Sequence, residues 1–191
     1  MSGIVRRLGP LDREARRRGR PEDGYGALLR TIVGQQLSVK AAASIYAKVT
    51  ALYGGAPPAP EQLLSTGDNE LRACGLSRPK ISYLRDLALR TTEGEMRFGE
   101  MDKMPDAEVI ARLTAVKGLG RWSADMFLMF HLKRPDVLPV GDLGIRRAIE
   151  RAYNLSDLPG PGEMEKIAGP WRPHRTLASF YLWESLDNVP A

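Results

Sequence analysis

The chain has 191 residues, and its 43% hydrophobic and 27% charged residues are typical of a globular protein large enough to bury a core. Its net charge of +5 is compatible with an anionic partner such as nucleic acid, but it is weak evidence for one. The single cysteine excludes an intrachain disulfide and any four-cysteine metal or iron–sulfur site, and no apolar run is long enough to span a membrane.

Apolar residues at helical spacing predict helices along most of the first half of the chain. The segment Gly34-Gln35-Gln36-Leu37 interrupts the second helix, and Ser38 is placed to cap the third, whose inward stripe is expected to include Val39. The first helix is arginine-rich and expected to face solvent. These predicted helices cover residues 6–20, 25–33, 38–53, 61–74 (in one or two pieces) and 77–90.

The same periodicity continues in the second half, after a polar connection over 91–103. Only 137–140, around a proline, reads as extended, which is too little for a sheet. The predicted helices cover 106–113, 121–132, 142–153 and a final group that ends at Trp183. We therefore predict an all-α fold of roughly ten short helices.

A glycine-pinched hairpin, K-G-L-G-R-W at 117–122, connects two of these helices. Gly118 and Gly120 permit left-handed or close-approach backbone conformations, and the amides from Gly118 to Arg121 are placed to form an anion nest. Lys117 and Arg121 add positive charge. Taken alone, the pattern fits a plain helix–helix turn equally well.

A carboxylate, Asp142, opens a helix 22 residues beyond Gly120. Aspartate is a favoured N-cap, and for an arbitrary aspartate capping alone would be the better interpretation. The two roles are compatible, because the positive end of a helix stabilises a negative charge that is also needed for chemistry.

Three blocks in order along the chain resemble the helix-hairpin-helix DNA glycosylase superfamily, which includes endonuclease III and the 3-methyladenine DNA glycosylases. L-x-x-V-K-G-L-G-R-W-S-A at 113–124 resembles its helix-hairpin-helix, and P-V-G-D-L-G-I-R-R at 139–147 resembles the segment with its catalytic aspartate. I-V-G-Q-Q-L-S-V-K-A-A-A at 32–43 resembles the element that enters the duplex in the alkylbase branch, 3-methyladenine DNA glycosylase II of the AlkA type. The likeness runs from about residue 25 to 184, and we expect a short form without the N-terminal β domain of the longer bacterial enzymes.

The resemblance implies one domain over 1–191 with two interleaved helical lobes and the active site in the cleft between them. One lobe is mainly 25–132, and the other is the N-terminal segment plus 142–191. The implied activity is that of a monofunctional glycosylase of base excision repair, which flips an alkylated purine out of duplex DNA, hydrolyses its N-glycosidic bond and leaves an abasic site. We further expect a cytoplasmic monomer, associated with the nucleoid if bacterial, with no membrane contact.

The resemblance also assigns roles to individual residues. Asp142 would be the catalytic carboxylate, which stabilises oxocarbenium character at C1′ and orients the attacking water. Trp122 stands where the backbone-cutting members carry a Schiff-base lysine, so no imine can form there and no lyase activity is implied. Trp122 and Trp183 would line the base pocket together with Met126, and their aromatic faces suit a cationic alkylpurine. For each tryptophan, an ordinary core position is the alternative.

Contacts with DNA are expected at the helix break, at the hairpin and at one lysine. Gln36 best matches the family's residue that fills the gap left by a flipped base. Leu37, beside it, contacts DNA or belongs to the core. Phosphate contacts are expected from Lys80 and from four hairpin residues, Lys117, Gly118, Gly120 and Arg121. No metal ligands are expected, and the only cofactor allowed is a monovalent cation on the carbonyls of the hairpin.

Two other functions stay open at this point. The first is a glycosylase acting on uracil, deaminated purines or mismatches. The second is a non-enzymatic helix-hairpin-helix module that binds damaged DNA, which would not need Asp142 or the tryptophans.

Overall fold

The computed structural model describes residues 1–12, 21 and 23–187, and within these ranges it contains helices and no strand. The all-α prediction is therefore confirmed. The α-helices are α1 Ser2–Leu8, α2 Gly24–Gly34, α3 Val39–Ala51, α4 Pro60–Ser65, α5 Asp68–Ala73, α6 Arg78–Thr92, α7 Asp106–Thr114, α8 Arg121–Phe130, α9 Leu143–Tyr153, α10 Pro161–Ala168 and α11 Arg175–Asp187. Short 3-10 helices lie at Phe98–Lys103 and Gly169–Trp171.

The chain divides into two compact units. The central unit comprises the described residues of Gly19–Phe127, and the terminal unit those of Met1–Arg18 and Leu128–Ala191. The lobe boundaries expected from the sequence stay a prediction. No helix in the described ranges has the length and apolar character needed to cross a membrane.

The core of the central unit is built on α2 and α6, which pack against each other. One face of α6 is buried as the sequence predicts, because its apolar residues recur every three or four positions. The buried residues of the two helices are Leu28, Leu29, Ile32 and Val33 of α2 and Ile81, Leu84, Leu87 and Ala88 of α6.

The core of the terminal unit joins α9, α10 and α11. Ile145, Ala148 and Ile149 form the inward stripe of α9, and they pack with Met164 of α10 and Leu182 of α11. This packing matters for the site, because it fixes the first turn of α9 and the middle of α11 within one core.

Several predicted elements differ from the structure. The first helix is Ser2–Leu8 rather than 6–20, and it ends at Gly9, whose φ is 66°; residues 13–20 lie outside the described residues. Val39 is 89% exposed, contrary to the predicted inward stripe, because α3 buries its last turn at Val49 and Thr50 rather than its first. The polar connection over 91–103 contains a 3-10 helix that buries Met101. α8 ends at Phe130 instead of at 132.

Candidate active site

Asp142 lies at the start of α9 and caps it. A tight turn, in which the Asp142 amide donates to the Pro139 carbonyl at 2.9 Å, places the residue before the helix. Its Oδ1 then accepts the Ile145 amide at 2.8 Å. The capping interpretation is therefore correct, and it holds the carboxylate at the positive end of a helix dipole.

Trp183 is brought to the same carboxylate oxygen from α11. Its indole Nε1 donates to Asp142 Oδ1 at 2.9 Å, across 41 residues of sequence. The indole stacks against Phe130 and Phe180, with ring centroids 6.0 Å away in each case. Two of the predicted site residues are thus in direct contact, and the aromatic cluster fixes the direction from which the indole reaches Asp142.

Gly144 is a site residue that the sequence analysis missed. A Cβ built at this position would lie 3.1 Å from Asp142 Oδ1 and 3.2 Å from Trp183 Cδ1, tighter than most real Cβ contacts. A glycine therefore lets the indole approach the first turn of α9 closely. The only local signal was a glycine two residues after the cap, inside a helix where glycine is unfavourable.

Trp122 and Met126 lie one turn apart on α8, in the central unit. Met126 is 8% exposed, whereas the Trp122 ring is 42% exposed, so this tryptophan is not an ordinary core residue. An exposed indole on a rigid helix can contact a ligand. That these two residues share one pocket with Asp142 and Trp183 stays a prediction.

Two other carboxylates are engaged in ion pairs. Asp125 is fully buried on α8, where its Oδ1 accepts Arg121 Nε at 2.8 Å and burial raises its pKa. Asp136 accepts Arg175 Nε at 2.7 Å and Arg172 at 3.0 Å, and the hydrogen bond from Arg175 lowers its pKa. Each carboxylate therefore has an ion-pair partner, while Asp125 Oδ2 is buried and accepts no hydrogen bond from the described residues. No three His, Cys, Asp or Glu side chains gather into a metal-binding group in the described ranges.

The hairpin presents free backbone donors. Gly118 has a φ of 78°, and Leu119, 5% exposed, anchors the loop in the core. The amides of Gly118, Gly120 and Arg121 donate to no other part of the described chain, and these three residues are exposed, as is Lys117. Such a set of amides at the start of α8 forms an anion-binding nest.

Helix α6 supports the hairpin from beneath. The Tyr83 ring packs against the Cα of Gly118 so closely that no Cβ would fit. Asp86 accepts the Lys117 amide at 2.9 Å and Arg90 Nε at 3.1 Å. Burial alone would raise the pKa of Asp86, but these hydrogen bonds outweigh it and lower the value.

The helix break is exposed at its tip. Gln36 has a left-handed φ of 57°, and Leu37 is 38% exposed, so the core interpretation of Leu37 is wrong. Gln35 Nε2 donates to the Gly118 carbonyl at 2.7 Å, which connects the break to the hairpin. Lys80 Nζ donates to the Val33 carbonyl at 2.7 Å. This contact directs the Lys80 ammonium at the end of α2, and the phosphate contact expected of Lys80 stays a prediction.

Comparison with known proteins agrees with this arrangement. The model of the HhH-GPD superfamily of base excision DNA repair proteins matches residues 29–173. The chain is 35% identical over 166 residues to DNA-3-methyladenine glycosylase 1 of Schizosaccharomyces pombe, which covers 86% of this chain and 73% of that protein. It is 45% identical over 155 residues to the DNA-3-methyladenine glycosylase of Saccharomyces cerevisiae, and this match covers 76% of this chain and 50% of that protein.

A solved structure extends the likeness to the fold. The S. pombe 3-methyladenine DNA glycosylase Mag1, in complex with abasic DNA, matches with a TM-score of 0.88 and 32% identity over 97% of this chain and 90% of that chain. The family resemblance seen in the three sequence blocks is therefore confirmed. The chain belongs to the HhH-GPD superfamily of base excision DNA repair proteins.

Proposed function

We propose that this protein is a monofunctional DNA glycosylase that hydrolyses the N-glycosidic bond of alkylated purines in duplex DNA and leaves an abasic site. The observation that carries the proposal is the Asp142 carboxylate, which a helix cap and the Trp183 indole fix in one orientation. It is supported by the names of the relatives, which are 3-methyladenine DNA glycosylases.

Asp142 supplies the charge that the reaction needs. As the bond from C1′ to the base nitrogen breaks, its electron pair leaves with the base, and C1′ gains oxocarbenium character. A fixed carboxylate stabilises this cation, orients a water whose oxygen forms the new bond to C1′, and accepts the proton that this water loses. Because two donors already hold Oδ1, little reorganisation accompanies the reaction.

The pocket residues favour a cationic base. An N3- or N7-alkylated purine carries a positive charge, which the electron-rich faces of Trp122 and Trp183 attract. The charge also weakens the glycosidic bond, so the enzyme needs little acid catalysis. Trp122 offers no amine for a covalent imine, so the DNA strand stays uncut after base release.

The DNA contacts follow from the exposed features of the central unit. The amides of the hairpin and the Arg121 side chain bind a backbone phosphate, while Gln36 and Leu37 fill the gap left by the flipped base. The carbonyls of Lys117 and Leu119 accept no hydrogen bond in the described chain. They are therefore the hairpin oxygens available to a monovalent cation, whose charge would add to that of the amides facing the phosphate. The protein is further proposed to be a monomer that acts in the cytoplasm.

The substrate class is tested with a panel of duplexes that each contain one lesion. Release of 3-methyladenine or 7-methylguanine, with an alkali-labile but otherwise intact strand, is the expected result. Release of uracil, hypoxanthine or a mismatched base alone would assign a different glycosylase. Tight binding to every damaged duplex with no release would indicate a damage-binding module instead.

A further inference from the structure

The end of α2 is completed by a side chain from another helix. The last carbonyls of a helix lack partners within it. Here the Ile32 and Gly34 carbonyls accept the amides of Gln35 and Leu37, at 3.3 and 3.2 Å. The Val33 carbonyl between them accepts Lys80 Nζ at 2.7 Å. A cation at this end also interacts favourably with the helix dipole, so Lys80 stabilises the point at which the chain leaves α2.

Gln36, two residues beyond the end of α2, has a strained backbone conformation, and a second contact holds the residue before it. Gln36 adopts a left-handed φ of 57°, a conformation that is unfavourable for a residue with a side chain. Such a conformation persists only where its surroundings impose it. Two contacts lie just before Gln36 in the chain: Lys80 Nζ donates to the Val33 carbonyl, and Gln35 Nε2 donates to the Gly118 carbonyl.

The same helix that carries Lys80 also carries the supports of the hairpin. Lys80, Tyr83 and Asp86 recur every three residues along α6, a spacing that places neighbouring side chains on one side of a helix. Lys80 holds the break, Tyr83 packs beneath Gly118, and Asp86 accepts the Lys117 amide. The break and the hairpin are therefore attached to one rigid element and to each other.

We propose that Lys80 and Gln35 are positioning residues that fix the exposed Gln36–Leu37 segment relative to the phosphate-binding hairpin. When the hairpin binds a backbone phosphate, the Gln36–Leu37 segment is then held at one fixed position along the duplex. Phosphate binding and insertion of this segment are therefore coupled. Lys80 does this through the Val33 carbonyl and binds no phosphate. This inference rests on the proposed function, because it concerns residues that position the same DNA-binding surface.

The salt dependence of DNA binding separates the two roles of Lys80. A lysine that neutralises one phosphate contributes about 0.9 to the slope of log K against log salt concentration. Lys80→Met is therefore compared with wild type and with Lys166→Met, which removes an exposed lysine of α10 in the terminal unit. We expect the slope of Lys80→Met to equal that of wild type. A slope smaller by about 0.9 would make Lys80 a phosphate ligand and overturn the proposal.

Insertion is measured without catalysis, on a duplex with a stable abasic analogue and 2-aminopurine as its neighbour. Fluorescence of 2-aminopurine rises when insertion disturbs its stacking. We expect both Lys80→Met and Gln35→Ala to reduce this rise and to slow base release about tenfold or more, the range given by the loss of one good hydrogen bond. Lys80→Arg should recover most of the signal.

The outcomes remain decisive if one variant folds poorly. The Gln35 contact is at the surface, so Gln35→Ala is expected to fold and provides the second arm. An unchanged fluorescence rise in Gln35→Ala would overturn the proposal whatever Lys80→Met does. Failure of wild type to release any base would count against the proposed function instead, since the fluorescence and salt measurements need no turnover.

Discussion

The close packing of Tyr83 under Gly118 gives a sharp prediction for two glycines of one loop. An alanine Cβ at position 118 would overlap Cδ2 and Cγ of the Tyr83 ring and lie 2.6 Å from Cε2. The φ of 78° adds a second penalty, because alanine disfavours the left-handed region. At Gly120, by contrast, a Cβ would have no neighbour within 4 Å, and the backbone has no left-handed φ.

These two terms set the magnitude. The left-handed conformation costs alanine roughly 1–2 kcal/mol, and overpacking costs roughly 1–3 kcal/mol more, so Gly118→Ala should lower the free energy of unfolding by about 2–5 kcal/mol. Gly120→Ala should change it by about 0.5 kcal/mol or less, as a surface substitution does. Urea unfolding of the free proteins measures both, with equal m-values as the condition for comparison.

A double mutant separates the two penalties. In a Tyr83→Ala background the overlap is gone, so Gly118→Ala should cost only the roughly 1–2 kcal/mol of its backbone conformation. Equal stability of Gly118→Ala and Gly120→Ala in the wild-type background would refute the reasoning. So would a full penalty that persists without the Tyr83 ring.

Three further substitutions have defined outcomes. Trp183→Phe keeps an aromatic ring but loses the donor to Asp142, so base release should slow about tenfold while stability changes little. Asp86→Asn should destabilise the protein at neutral pH, because the folded pKa of Asp86 is lowered; its contribution is present above about pH 4 and is lost as the pH falls through the folded value. Asp125→Asn should stabilise it, because burial raises the pKa of Asp125 above about 4; the gain shrinks as the pH falls through that raised value.

Each has a result that would contradict it. Unchanged base release by Trp183→Phe would show that the hydrogen bond to Asp142 does not position the carboxylate. A stability difference for Asp86→Asn that persists unchanged well below pH 4 would exclude its charge as the cause. For Asp125→Asn, a loss of stability at neutral pH would mean that the ion pair with Arg121 outweighs the burial of the carboxylate. Urea unfolding across pH measures the last two.

The sequence predicted well what is local. Ser38 and Asp142 cap the helices that follow them, with their side chains accepting the amides of Ala41 and Ile145. Each of these capping contacts joins residues three positions apart, so the sequence predicts it without knowledge of the tertiary structure. The buried residues of α6 recur every three or four positions, and this spacing follows from the geometry of a single helix.

What the sequence did not predict depends on residues distant in the chain. The contacts of Gln35 with Gly118 and of Lys80 with Val33 span 83 and 47 residues, and no periodicity encodes them. Position 144 requires a glycine because the Trp183 ring of α11 packs against it, a contact that the local sequence does not encode. Val39 matches a helical stripe yet is exposed, since burial depends on what packs against a face and not on its pattern alone.

The central claim is that the Asp142 carboxylate drives hydrolysis of the glycosidic bond. Its most direct test is the release of free methylated bases from alkylated duplex DNA by wild type and by Asp142→Asn. The asparagine retains a side-chain oxygen that can cap α9 and removes the negative charge. We expect release by wild type and a loss of at least about a hundredfold in Asp142→Asn, with DNA binding retained. Equal release by both proteins would contradict the account.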